Sequence, residues 1–289
     1  MFKEFIESLI GENYGGGFYK PDPRDYKAEH LLGGATVDLP SSVLLLTAAN
    51  NQGASVHCSS YAAYHTAKIL NEAEHKVKIT DLPERGWALQ TAFGTSSAEG
   101  DYISSALKSI VKNGFQTTDQ IYKIDGYASV DLTIDAVKQR LAQGYPLIVL
   151  MPVTKNNFRE ARDSGIWTGL DGQRTGGHFT CICGYEPGFF IVLNSYGSQW
   201  GRFSNGTFKV PESKISDLQC CYLLYDHKDV VNTLFKDVSD KSWAYEPIKW
   251  LKDNDIVSGY EDGSFRPETP ITRAEVAKIL FNYHKKFNS

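Results

Sequence analysis

The sequence predicts an α+β fold in which a helical half is followed by an antiparallel β half, with a small helical domain at the C-terminus. Three observations lead there. Apolar residues recur at the helical period from residue 59 to 142 and at a period of two from residue 147 onward. Polar residues gather where the halves meet, which predicts a cleft between two layers. From Phe235 the texture changes to two helical patterns about a connector rich in Gly, Asp and Pro.

At 289 residues and 42% hydrophobic, the chain can hold one large core or two domains. Residues 1–36 read as an amphipathic helix and an extended lead-in segment. Phe2, Phe5, Ile6, Leu9 and Ile10 share one helical face, and Gly11 can end it. The YGGGF run has no GK[ST] ending and no strand before it, which excludes a phosphate loop. Helices follow over Ser59–Ala73, Tyr102–Lys112 (closed by Gly114) and Thr133–Ala142. The last leads through Gly144 and Pro146 into the strand LIVLMPV. HFTCICGY, FFIVLNSY, GTFKV and CYLLY then alternate as strands. In the C-terminal segment one helix carries Ile248, Trp250 and Leu251. The other is capped at Thr272, with Glu275 at the capping-box position. The expected domains are 1–36, a body over 37–227, and a small domain over 235–287.

Bulk properties exclude several classes. A net charge of −4 offers no footprint for nucleic acid or an anionic membrane, and no apolar run is long enough to span a bilayer. Lys3, Glu4 and Glu7 interrupt what would be the apolar core of a secretory signal, so none is expected. Five cysteines, at 58, 181, 183, 220 and 221, leave at least one thiol free and form no disulfide framework. Cys181 and Cys183 alternate on a strand, so both point to one face. Their spacing lacks the paired CxxC knuckles of zinc sites, so neither metal nor cofactor is expected.

Cys58, in NNQGASVHCSSYAAYHTA, is the exception to watch. Taken alone it reads as a small buried hydrophobe. It also stands where a helix begins, and a helix N-terminus favours a thiolate. A nucleophilic thiol needs a histidine base, a group orienting that base, and a donor for the oxyanion. His178 lies 120 residues downstream, Asn194 lies 136 residues downstream, and Gln52 precedes Cys58 by six. Alone, His178 reads as a strand histidine and Asn194 as a turn residue.

Together these motifs resemble the papain-like cysteine proteases over about residues 18–226. The match runs through QGxxxxC at Gln52–Cys58, GxH at Gly176–His178 and NSYGSQWG at Asn194–Gly201, in the family's order of Cys, His, Asn. GDYISSALKSIVKNGF resembles the family's segment beside the substrate cleft, and FREARDSGIWTG the stretch leading into its β domain. The resemblance implies a two-lobed fold of a helical lobe and a β-barrel-like lobe. It implies Cys58 as nucleophile, His178 as base and then acid, and Asn194 as the group that orients the imidazole. Gln52 would hold the oxyanion with the backbone N–H of Cys58. Tyr196, in place of the usual tryptophan, would shield the asparagine. Gly100 and Tyr102 would line the substrate groove, with Gly177 and His57 beside it.

The chain departs from the family pattern around the nucleophile. His57 stands where a small residue is usual, Ser59 where an aromatic is usual, and Val56 replaces a glycine that lets substrate approach. Ser55 falls where many relatives have a half-cystine. The segment before residue 36 is too short for the family's inhibitory propeptide.

The last segment resembles a single S-layer homology repeat, through FKDV, SWAYEPIKWL, IVSGYEDGSFRPETP and ITRAE. The resemblance implies anchoring to an anionic cell-wall polysaccharide through Arg273, with Trp243 and Gly259. Residues 235–287 carry nine basic and nine acidic residues, so anion binding would rest on particular side chains. Such repeats pack in threes, and a lone repeat leaves apolar faces uncovered, which predicts a homotrimer.

The expected function is a cysteine endopeptidase acting on peptide or protein substrates, tethered to a cell wall or surface assembly. The alternatives are an inactive papain-fold component of a phage or surface assembly, and a cysteine amidase or transpeptidase acting on wall peptides. The expected location is extracellular, at the cell surface or on a virion, reached without a signal peptide.

Overall fold

The structure is a computed structural model that describes residues 17–18, 27–28, 36–53, 55–79, 101–117, 121–226, 235, 237–238, 242–260 and 263–287. The helix expected over residues 2–10 and most of the lead-in segment lie outside the described residues. The described residues up to 226 belong to one compact unit, and those from 235 onward belong to a second.

In chain order the first unit contains β1 (Gly17–Phe18), β2 (Val43–Leu44), α1 (Cys58–His75), β3 (Asp101–Tyr102), α2 (Ile103–Asn113), β4 (Phe115–Gln116) and β5 (Ile121–Tyr122). It continues with β6 (Gly126–Ser129), α3 (Ile134–Ala142), β7 (Leu147–Val153), α4 (Lys155–Asp163), β8 (Gly176–Glu186) and β9 (Phe189–Leu193). It closes with β10 (Thr207–Pro211), a 3₁₀ turn over Glu212–Asp217, and β11 (Cys221–Tyr225). The helices start where their chemistry dictates. Thr133 caps α3 by accepting from the Ala136 N–H, and Thr154 and Asn157 form a capping box on α4.

The β half is one open seven-stranded sheet in the order β10-β9-β8-β7-β11-β6, with β2 pairing onto β8. Pairing along this path is antiparallel throughout. β7 and β8 form its centre. β7 is buried at all seven positions, as a strand covered on both faces must be.

Three differences from the sequence reading have simple causes. FFIVLNSY is strand only to Leu193, because the segment beyond Asn194 pairs with residues 50–52, through Gln52 N–H to Ser195 O and Gly197 N–H to Asn50 O. Residues 155–163 form a helix, set by the capping box at Thr154, that the period did not single out. Tyr102 and Thr133 are caps rather than first helical residues.

α1 is the spine of the unit. It is buried continuously from Cys58 to Asn71, including Ser59, Ser60, His65, Thr66, Lys68 and Asn71. Small residues on it (Ala62, Ala63, Ala67) let it lie close against β8. Cys181 and Cys183 do share a face, and pack with Ala49, Ile69 and Leu193. The Thr66 hydroxyl donates to the Cys181 sulfur at 3.4 Å. All five cysteines are buried and unbridged.

β1 pairs in parallel with β3, Gly17 against Asp101 and Phe18 against Tyr102, and also packs on β8. The lead-in segment thus reaches the edge that the sequence assigns to the substrate groove.

The second unit holds α5 (Tyr245–Asp253) and α6 (Arg273–Phe287), with a small core of Phe235, Val238, Tyr245 and Ile248 at the α5 end. Thr272 and Glu275 form the expected capping box: Thr272 donates N–H and O–H to Glu275 Oε2, and the Glu275 N–H donates to Thr272 Oγ1.

Candidate active site

Strand register brings the base and its orienting group together. Cys181 pairs with Leu193 at the last residue of β9, which brings Asn194, the next residue along, up to the β8 segment that carries His178. His178 and Asn194 are therefore within reach of each other's side chains. The bond between them spans 2.7 Å, from His178 Nε2 to Asn194 Oδ1.

The tautomer follows from a second contact. Asn194 Oδ1 also accepts the backbone N–H of Ser195 at 2.8 Å, and a backbone N–H can only donate. The amide atom there must be oxygen, so His178 Nε2 carries the proton. Nδ1 is left with the lone pair that a general base requires.

An aromatic cage holds the ring. Tyr196 stacks on His178 with centroids 5.5 Å apart and planes 19° apart. Phe158 meets the imidazole edge-on at 5.5 Å and also touches Tyr196 and Trp200. Phe158, from α4, was not singled out in the sequence, because nothing in FREARD distinguishes a cage residue from a packing residue.

Cys58 is the first residue of α1, with His57 at the N-cap position. The backbone groups of Phe179, Ser59 and Cys58 itself favour its thiolate. The expected thiolate is not what burial favours. Cys58 is 2% exposed, and burial pushes its thiol up to about 11, outweighing those groups. Burial also brings His178 down to about 4, against the opposing effect of the Asn194 bond. The helix N-terminus does not overcome this desolvation, so both groups rest neutral.

Gln52 is 5% exposed and locked at both ends of its amide. Oε1 accepts the Ser195 hydroxyl, and Nε2 donates to the Ser55 carbonyl at 2.7 Å. One Nε2 hydrogen remains for an oxyanion. Ser195 was missed in the sequence, although it sits inside NSYGSQWG, because its partner is 143 residues away.

Of the groove residues, Tyr102 is half exposed at the N-cap of α2, and Gly177 pairs with Pro152 at the start of β8. His57 is buried at 3%. Gly100 lies outside the described residues. Among the described residues, no three His, Cys, Asp or Glu side chains gather to hold a metal. No described helix is long and apolar enough to cross a membrane.

The second unit contains a cavity of about 450 Å³ between the Ile256–Tyr260 stretch and α6. Gly259 lines it, together with Tyr260, Arg266 and Glu275; Arg273 and Trp243 do not. Trp243 is 88% exposed and Arg273 is the first residue of α6. Tyr260 donates to Glu275 Oε1 at 2.6 Å while the Arg266 guanidinium lies 4.1 Å above the tyrosine ring. The three residues expected to bind polymer are thus not gathered at this cavity.

Comparison with known proteins accords with this architecture. Residues 81–222 match the family model for papain family cysteine proteases, and residues 234–277 match that for the S-layer homology domain. The papain match includes His178 and Asn194 and begins after Cys58. The cysteine protease xylellain from Xylella fastidiosa superposes with a TM-score of 0.59 at 20% identity, over 74% of this chain and 96% of its own. An uncharacterized peptidase C1-like protein of Acanthamoeba polyphaga mimivirus is 28% identical over 134 residues, 41% of this chain and 42% of that protein. A cellulosome-anchoring protein of Acetivibrio thermocellus is 40% identical over 52 residues, 18% of this chain. The chain spans only 12% of that protein's length. With the fold, the motif order and both family matches in agreement, the chain carries a papain family cysteine protease domain followed by an S-layer homology domain.

Proposed function

We propose that this protein is a cysteine endopeptidase, with a peptidase domain over 37–227 held at a cell surface by a domain over 235–287. The observation that carries the reading is the pair of bonds on Asn194 Oδ1, which fixes the His178 proton on Nε2 and leaves Nδ1 basic. In the proposed reaction the Cys58 thiol gives its proton to Nδ1 as sulfur attacks the substrate carbonyl carbon. The remaining Gln52 Nε2–H and the Cys58 backbone N–H receive the developing oxyanion. The imidazolium then protonates the leaving amine, and water, activated by the same ring, hydrolyses the thioester. The imidazolium and the oxyanion arise together with opposite charges, so the low polarity of the site is not burdened with an isolated ion.

A peptidyl epoxide that alkylates papain-like thiols tests this. A covalent adduct on Cys58 at neutral pH is expected, and its absence defeats the endopeptidase. The near-complete burial of Cys58 favours one rival, an inactive papain-fold component of a surface or phage assembly. Release of amines from isolated wall peptides, faster than from protein substrates, would favour an amidase or transpeptidase instead.

For the second unit the proposed ligand is an anionic wall polysaccharide, with the cell surface as location and a virion as the alternative. The proposed assembly is a homotrimer through residues 235–287. No described residue of α6 is buried, and Leu280 and Phe281 are more than 60% exposed. Trp250, Tyr283 and Phe287 form an aromatic group that is also about half exposed. Two further copies would cover such faces in a closed ring. Light scattering on the full chain at micromolar concentration tests this, and a monomer defeats it.

A further inference from the structure

The Gln52 amide does its work only if residues 50–52 hold still. On one side they are tied to the segment after Asn194. Gly197 N–H donates to Asn50 O at 3.0 Å, Asn51 bridges to Tyr196, and Gln52 N–H donates to Ser195 O at 2.7 Å. On the other side they meet α1 through His65, which is 1% exposed and seven residues after Cys58. Asn50 N lies 3.0 Å from His65 Nε2, and Asn50 Oδ1 lies 3.1 Å from the same nitrogen.

The backbone contact settles the roles. An N–H can only donate, so Nε2 is an acceptor and the imidazole is neutral with its proton on Nδ1. The Asn50 amide then presents its nitrogen rather than its oxygen to the ring, a rotation that exchanges two atoms of nearly equal size. A histidine buried in the helix core thus accepts a main-chain N–H from the oxyanion loop. Tyr61 adds a weaker tie, its hydroxyl donating to Asn51 O at 3.4 Å.

We propose that His65 is a positioning residue for the oxyanion donor: it clamps the Asn50–Gln52 loop to the nucleophile's own helix and so sets where the Gln52 amide points. This rests on the peptidase reading above. It makes a specific claim about which step His65 serves. The Gln52 donor acts on the tetrahedral intermediate, so losing the clamp lowers kcat and leaves substrate binding alone. Displacement of iodide from iodoacetamide by the Cys58 sulfur forms no oxyanion, so that reaction does not need the clamp.

The test uses the full chain with His65→Leu, which removes the acceptor, and His65→Gln, whose side-chain oxygen can replace it. His65→Leu is expected to lower kcat on a fluorogenic peptide amide by about 10-fold to 10²-fold, below the 10²–10³ loss set by a whole oxyanion donor. KM and the iodoacetamide rate at Cys58 should stay within about 2-fold, and His65→Gln should recover most of kcat. Combined with Gln52→Ala, His65→Leu should cost nothing more, because the group it positions is gone. Additive losses in that double variant, or an iodoacetamide rate that falls with kcat, overturn the positioning role in favour of general support for α1. A reactive Cys58 with full turnover in His65→Leu overturns it outright. A Cys58 that is inert to iodoacetamide in the unchanged chain overturns the peptidase reading instead.

Discussion

Acid should destabilise the peptidase domain through His178 by an amount that its environment sets. Its imidazole is brought from 6.5 to about 4 by burial, so the folded domain binds fewer protons there than the unfolded chain does. Stability is therefore complete above the unfolded value of about 6.5 and falls as pH drops through it, until the folded form also protonates near 4. Within that window each step of one in pH costs roughly 1.4 kcal/mol, so the loss works out at about 2 kcal/mol near pH 5 and about 3 kcal/mol near pH 4. His178→Gln keeps a donor for Asn194 and cannot titrate. The four cysteines other than Cys58 are all buried in this unit, so a brief thiol-labelling pulse after urea equilibration reads its unfolding alone. The difference in stability between neutral and acid pH should shrink by those amounts in the variant. An identical pH dependence in both proteins would refute the argument that burial holds His178 neutral.

Other outcomes follow from the same geometry. Cys58→Ala and His178→Ala should each abolish turnover with folding intact, Asn194→Ala should cost less, and His57→Ala should leave most activity. A dead His57→Ala beside an active His178→Ala would exchange the two roles. Gln52→Ala should lower kcat by about 10²–10³ on a peptide amide, the cost of one oxyanion donor; an unchanged kcat removes Gln52 from the site. The acid limb of kcat/KM should fall near pH 4, since His178 protonated from solvent can no longer accept the Cys58 proton; a limb near the ordinary imidazole value contradicts it. Gly184→Ala should cost a few kcal/mol by urea titration, because a Cβ there meets the Val43 carbonyl across the β2–β8 pairing.

Much of this was legible in one dimension because it is local or periodic. The switch from period 3.6 to period 2 marks the two halves, and Thr272 with Glu275 marks a helix start through contacts three residues apart. The Cys58, His178 and Asn194 motifs could be named as a set because each keeps its own short signature. Which atom does what could not be read that way. The His178 tautomer depends on its ring reaching the same oxygen as the Ser195 N–H, although His178 and Asn194 are 16 residues apart. The Ser195 and His65 ties to the loop before Cys58, and the Phe158 cage over His178, join residues brought together by packing. The largest revision, from a thiolate favoured by a helix N-terminus to a neutral buried thiol, has the same origin. A helix start is a local property, whereas desolvation is set by everything folded around the sulfur, and at Cys58 desolvation is the larger effect.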